Sequence, residues 1–175
     1  MITFKSTVIL FLIVIQSGLV QAEDVPLEYR IKSNYLLNIP LFVEFQSLEQ
    51  NISSFTICVV GDTPIASILS ESKGKQIKKR PVVINRIHDI SQLAKCQVVF
   101  IASSEQYRLQ KLLTTANRLG ILTISDMRGF VKQGGMINLL IVNGRVTFDL
   151  NQTAANNASI SFGTQLLKLA NDVTN

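Results

Sequence analysis

The 175-residue chain has no tryptophan, one histidine, two cysteines and four prolines. Its only histidine and its two cysteines do not stand at ligand spacing, which excludes a zinc centre of the usual kind. No G-x-G-x-x-G follows a strand and no Walker sequence occurs, so neither a dinucleotide cradle nor a P-loop is present. The nucleophile elbow G-x-S-x-G is also missing. Long apolar runs are scarce. The only one is Val8 to Ile15, well short of the ~20 residues that span a bilayer. Charge is modest: 17 Lys and Arg against 12 Asp and Glu give +5, with 47% hydrophobic residues. That balance excludes a disordered chain, a coiled coil and a polytopic membrane protein. One local basic excess stands out, Lys73, Lys75, Lys78, Lys79 and Arg80. It reads as a solvated loop and strand edge, or as a face for phosphates or an anionic membrane. No aromatic interleaves with it, which speaks against a single-stranded nucleic acid partner.

What is present begins with an export leader, residues 1–22. Lys5 gives a positive start, the apolar run follows, and Val20 and Ala22 are small residues at the cleavage positions. No cysteine follows the cut, so a lipoprotein is not expected. The remaining chain, residues 23–175, is sized for one domain that buries roughly two thirds of its unfolded surface without staples. Soluble export into a bacterial periplasm is the expected location. Cys58 and Cys96 leave two readings open. An even count in an oxidising compartment favours a disulfide; the other reading is two buried thiols at the edges of apolar strands.

The spacing predicts a helix over Leu27 to Val43, kinked at Pro40. Phe55 to Val60 is an apolar strand ending at Gly61, with Asp62 as cap of a helix from Pro64 to Glu71. Gln76 to Lys79 is a brief strand, Pro81 breaks it, and Val82 to Ile87 is the next. A short helical turn over Asp89 to Leu93 and a strand over Val98 to Ala102 follow. Ser103 or Ser104 caps a helix to Leu119, closed by Gly120. Ile121 to Ser125 is a strand. Met136 to Val142 and Val146 to Leu150 flank Asn143-Gly144, a strong hairpin signal. Helices are expected over Asn151 to Asn157 and Phe162 to Val173, the latter with Leu166, Leu167, Leu169 and Ala170 inward. The order predicts a single α/β domain: a mainly parallel central sheet, helices on both faces and a C-terminal antiparallel hairpin.

Catalytic groups are hard to find. His88 and Asp89 are adjacent at a strand exit, where neighbouring side chains diverge, and no nucleophile accompanies them. Asp62 reads as a cap. Asp126 and Asp149 follow strand ends, but their separation in sequence sets no distance. Binding is the default role. A solute binder would need a pocket at the strand ends near Gly61 and Asp126.

Taken in order, several segments carry a resemblance. They are Lys32 to Phe45; Ile57-Cys58-Val59-Val60-Gly61-Asp62-Thr63-Pro64; Gly74-Lys75 through Arg80-Pro81-Val82; and Cys96-Gln97-Val98-Val99-Phe100-Ile101. Then come Ile121 to Asp126 with Gly129-Phe130, Gly134-Gly135-Met136-Ile137-Asn138, Gly144 to Asn151 and Gln165 to Ala170. Together they resemble the YfiR-like periplasmic regulators over nearly the whole exported chain. Two features depart from that pattern: Phe45-Gln46 stands where a Trp-Pro pair is typical, and the cysteines of a second disulfide are missing. The resemblance implies that Cys58 and Cys96 are bonded, that no cofactor is used and that the protein is not an enzyme. It implies a repressor that binds the periplasmic sensor domain of an inner-membrane diguanylate cyclase and is sequestered by an outer-membrane lipoprotein. A homodimer is compatible with it. The alternative is a small-ligand-binding accessory of another membrane sensor, such as a histidine kinase. The surfaces expected to meet a partner are Lys75, Lys78, Lys79 and Arg80, and Phe130 in the Gly129–Gly135 loop.

Overall fold

A computed structural model describes residues 26–46, 52–72 and 74–175; the expected leader lies outside them. Helix α1 spans Leu27–Asn38 and continues as a 3-10 turn, Ile39–Phe42, into strand β1, Val43–Phe45. The expected helix to Val43 is therefore shorter. Pro40 stands in the first turn of the 3-10 segment, where its missing N–H is not needed.

Strand β2, Phe55–Val60, is buried at every position, as befits a parallel strand covered on both faces. Helix α2 (Ile65–Ser70), strand β3 (Gln76–Ile77) and strand β4 (Arg80–Ile87) follow. Pro81 does not break the chain. Beside it, the β2–β4 ladder starts one residue later, with Phe55 opposite Val82, so no ladder donor is lost. A 3-10 turn over Ile90–Lys95 is capped by Asp89 and leads to β5, Val98–Ile101. The segment predicted as one helix opens with a 3-10 stretch, Ser103–Arg108, before α3, Leu109–Arg118. Strand β6 (Leu122–Ser125), then β7 (Ile137–Val142) and β8 (Arg145–Asn151) complete the inner sheet. The turn between β7 and β8 is Asn143-Gly144 as expected, with φ of 49° and 73°.

The C-terminus differs most from expectation. Helix α4 is Gln152–Asn157, β9 is Ile160–Phe162, α5 is only Thr164–Leu169, and β10 is Asp172–Thr174. The chain leaves α5 early because β10 pairs in parallel with β8, Val173 opposite Leu150. Leu169 is accordingly 68% exposed, not inward. Among the described residues the main sheet runs β10-β8-β7-β6-β5-β2-β4-β3, and β1 with β9 forms a separate antiparallel pair. Strands β2, β4, β5, β6 and β7 are parallel, β8 antiparallel to β7 and β3 antiparallel to β4. One core cluster holds residues of α1, α2, α4 and α5; the other holds α3 and the 90–95 turn. Helices thus cover both faces of one α/β domain. Cys58 of β2 and Cys96, which closes the 90–95 turn, are bonded, with 5.8 Å between their Cα atoms. The bond staples that turn to the centre of the sheet.

Candidate functional site

The most featured surface lies at the carboxyl end of β6. There α1 lays an unusual stripe on the sheet. Lys32 and Ser33 occupy the buried face beside Leu36 and Leu37. Lys32 is 5% exposed. Its Nζ donates to Asp126 Oδ2 at 2.9 Å and pairs with Glu28 one helical turn back. The ammonium also stands 5.3 Å from the centre of the Tyr29 ring, within reach of a cation–π attraction. Burial alone would push its pKa down; the hydrogen bonds to Glu28 and Asp126 outweigh it, and the group sits above the ordinary 10.5. The signal in sequence was present: Lys32 and Ser33 fall at helical spacing between Tyr29 and Leu36, on the face that must be buried.

Asp126 opens a loop whose shape is fixed by buried polar groups. Ser125 Oγ donates to Ile101 O at 2.6 Å and accepts from Met127 N–H at 3.0 Å. Asn138 Oδ1 accepts from Phe130 N–H, and its Nδ2 donates to Ser125 O. Ser125, Asn138 and Asp149 are register neighbours across β6, β7 and β8. The result is a groove of about 440 Å³ lined by Lys32, Asp126, Arg128, Lys132, Asn138 and Asp149. Asp126 and Asp149 do share a site, but each has its own donor, Lys32 and Asn171 Nδ2 (2.8 Å). Beside it an apolar groove of about 360 Å³ runs between α1 and the β7–β8 hairpin, with Leu27, Ile31, Ile141 and Val146 on its walls. Leu27 is 70% exposed and Ile141 50%.

The other sequence candidates fall elsewhere. Lys75 and Lys79 are exposed and Lys78 is half-buried, all at the β3–β4 hairpin. Arg80 has a structural role: its Nε donates to Ile52 O at 3.1 Å. Phe130 is corrected outright. It is 0% exposed and belongs to the core on the α3 side, because its backbone is held by Asn138 and its ring lies flat over Gly135. A Cβ on Gly135 would come 2.1 Å from that ring. Gly135→Ala is therefore expected to destabilise by about 3 kcal/mol, read as a lower urea midpoint, with partial recovery when Phe130→Leu is added.

At the strand ends near Gly61 the reading also shifts. Asp62 does not cap α2 with its side chain; its N–H donates to Ser104 Oγ at 2.8 Å. Ser104 is thus committed to the β2 turn, and neither Ser103 nor Ser104 caps a helix. His88 is exposed and uses its main chain, N–H to Gln92 Oε1 (3.0 Å) and C=O from Arg108 (3.0 Å). Asp89 faces Ser91 N–H at 2.9 Å, a contact that holds its carboxyl below the ordinary range. Among the described residues no group of three or more His, Cys, Asp or Glu could hold a metal ion, and no helix is long and apolar enough to cross a membrane.

Fold and grooves define an α/β domain with open, charged and apolar surfaces at the carboxyl ends of its parallel strands, where such sheets hold what they bind. The chain belongs to the YfiR/HmsC-like family (DUF4154), whose model matches residues 29–171. No curated protein matches it. Solved structures that share the fold include the following two. A conserved domain protein from Vibrio cholerae O1 biovar eltor superposes with a TM-score of 0.57 at 14% identity, over 85% of this chain and 60% of that one. An ABC domain from Streptococcus pneumonia, solved in complex with L-Trp, gives 0.55 at 9% identity, over 83% and 60%. The chain thus spans 60% of the length of each.

Proposed function

We propose that this protein is an exported periplasmic regulator that binds the periplasmic sensor domain of an inner-membrane diguanylate cyclase and holds the enzyme inactive. The observation that carries this reading is the family match over residues 29–171. The disulfide between Cys58 and Cys96 supports an oxidising compartment. Release comes from a competing partner, an outer-membrane lipoprotein. The receptor is taken at the α1–hairpin surface, where Leu27 and Ile141 supply exposed apolar contact beside the charged Lys32–Asp126 groove. An apolar centre with a polar rim is the usual anatomy of such a contact.

Physically, repression requires only differential affinity. Moving a cyclase from nine-tenths active to nine-tenths inactive takes about an 80-fold preference for the inactive form. Deletion of the gene is expected to raise cellular cyclic-di-GMP several-fold, with restoration by the wild-type gene. Leu27→Asp/Ile141→Asp should fold, be exported and fail to restore. An unchanged cyclic-di-GMP level in the deletion strain would overturn the cyclase reading and move the receptor to another membrane sensor, such as a histidine kinase.

A further inference from the structure

Two tight hairpins among the described residues are built from opposite kinds of residue. Both have two-residue turns in which both central φ angles are positive, 49° and 73° at Asn143-Gly144, 50° and 64° at Lys78-Lys79. That geometry favours asparagine and glycine, because an ordinary side chain crowds the backbone there. The chain uses the relaxed pair at one hairpin and two lysines at the other. The strained turn is nonetheless firmly held. Ile77 before it is 1% exposed and pairs with Arg80. Val82 N–H donates to Lys75 O at 3.0 Å, and Arg80 anchors the strand to Ile52. Non-glycine residues kept in such a conformation point to a role that outweighs the local cost.

That role is in the charge. None of Lys75, Lys78 and Lys79 has an ion pair among the described residues. Lysines along an edge strand discourage unwanted pairing, yet Lys78 and Lys79 lie outside the β3 ladder of Gln76–Ile77, so edge protection does not account for them. A folded protein partner would be gripped by aromatic or arginine anchors; between Gly74 and Pro81 no aromatic occurs, Ile77 is buried, and the arginine, Arg80, is half-buried with its Nε bonded to Ile52 O. What remains is a rigid cluster of point charges without shape, suited to a fluid anionic surface. We propose that the Lys78–Lys79 turn, with Lys75, docks the protein reversibly on anionic phospholipid. The turn precedes β4, so it lies at the amino ends of the parallel strands, and the α1–hairpin groove lies at their carboxyl ends. Docking leaves that groove open. The inference does not depend on which receptor is repressed.

The test uses the full exported protein, sedimented with vesicles of phosphatidylcholine alone or enriched in phosphatidylglycerol at low salt. Binding is expected only to the anionic vesicles and should fade as salt is raised. Each lysine near such a surface is worth about fivefold in partitioning, so Lys78→Asn/Lys79→Gly should bind about 25-fold more weakly. The same variant should melt about 4 °C higher, because the turn strain is relieved. Lys75→Gln should lose about fivefold in binding at an unchanged melting temperature. Equal binding to both vesicle types, or full binding by the double variant, overturns the proposal. So does a lower melting temperature in the double variant, which would mean that the lysines serve the fold. Loss of repression with wild-type vesicle binding would instead assign the lysines to the receptor, and would also overturn it. Absence of binding to the anionic vesicles overturns the docking proposal and leaves the repressor reading standing, since that reading is judged by cyclic-di-GMP.

Discussion

Replacing both cysteines, as Cys58→Ala/Cys96→Ala, is expected to cost about 4 kcal/mol of stability. The sequence separation is 38, and closing a loop of that length in the unfolded chain removes about this much free energy on the chain-entropy model. For a domain of this size the melting temperature should fall by about 8–16 °C. Cys58 is 0% exposed and Cys96 4%, so a reductant has no path to the bond in the folded protein. Dithiothreitol should act only where the protein opens, for example in sub-denaturing urea. The loss should also be uneven. Cys58 and Cys96 pack in the same cluster as Leu109, Leu112, Met127 and Phe130, whereas α1 and α2 pack in the other. Amide exchange should therefore quicken first in α3, the 90–95 turn and the loop from Met127. Uniform acceleration across both faces would contradict this picture. Because that loop carries Arg128 and Lys132 into the charged groove, loosening it is expected to weaken receptor binding before the protein unfolds.

The parts of the fold that could be read ahead are those written locally. Phe55 to Val60, Val98 to Ile101 and Leu122 to Ile124 are unbroken apolar or β-branched runs, and each lies in a parallel strand buried at every position. Asn143-Gly144 specifies its hairpin through backbone preference alone. The missed elements are short and owe their existence to distant partners. Strands β1 and β9 have three residues each and pair Val43 with Phe162 across most of the domain. Strand β10 replaces the end of a predicted helix because the open edge of β8 offers it a ladder. Lys78-Lys79 was read as strand because lysine carries no turn preference; only the pairing of Ile77 with Arg80 forces the reversal.

The surface was less legible than the core. Phe130 in a glycine-flanked loop invites an exposed reading, yet the loop folds back so that the ring seals Gly135. The basic stretch was found, since five like charges in eight residues need no structure to be seen. What sequence could not divide was its roles: Arg80 anchors backbone at Ile52 while Lys75 and Lys79 stay in solvent. Asp126 and Asp149 illustrate the same limit, for their shared groove depends on the order β6-β7-β8 and not on their separation in the chain.

The buried ammonium of Lys32 yields the second large effect, and its two partners should respond unequally to mutation. The Lys32 side chain is 6% exposed, that of Asp126 15% and that of Glu28 35%. Removing a partner from a buried pair is costly because the remaining charge is left without compensation. Asp126→Asn strands the more deeply buried member, with only the half-exposed Glu28 to answer it, and should cost about 2–3 kcal/mol. Lys32→Met keeps the length and volume of the stem and leaves Asp126 at the wall of an open groove, where water reaches it. Its cost should be about 1 kcal/mol or less. Urea unfolding of the two variants checks the order, and a costlier Lys32→Met would contradict it. The pH dependence carries a separate sign. Because the folded pKa of Lys32 lies above the ordinary 10.5, its contribution is fully present below about pH 10.5 and is lost as pH rises through the folded value. Wild-type protein should therefore lose stability on that alkaline limb more steeply than Lys32→Met. Since the same ammonium seats α1 on the end of β6, and α1 forms one wall of the apolar groove, Asp126→Asn is also expected to weaken repression, whereas Leu27→Asp/Ile141→Asp does so with the Lys32 network intact and the alkaline limb unchanged.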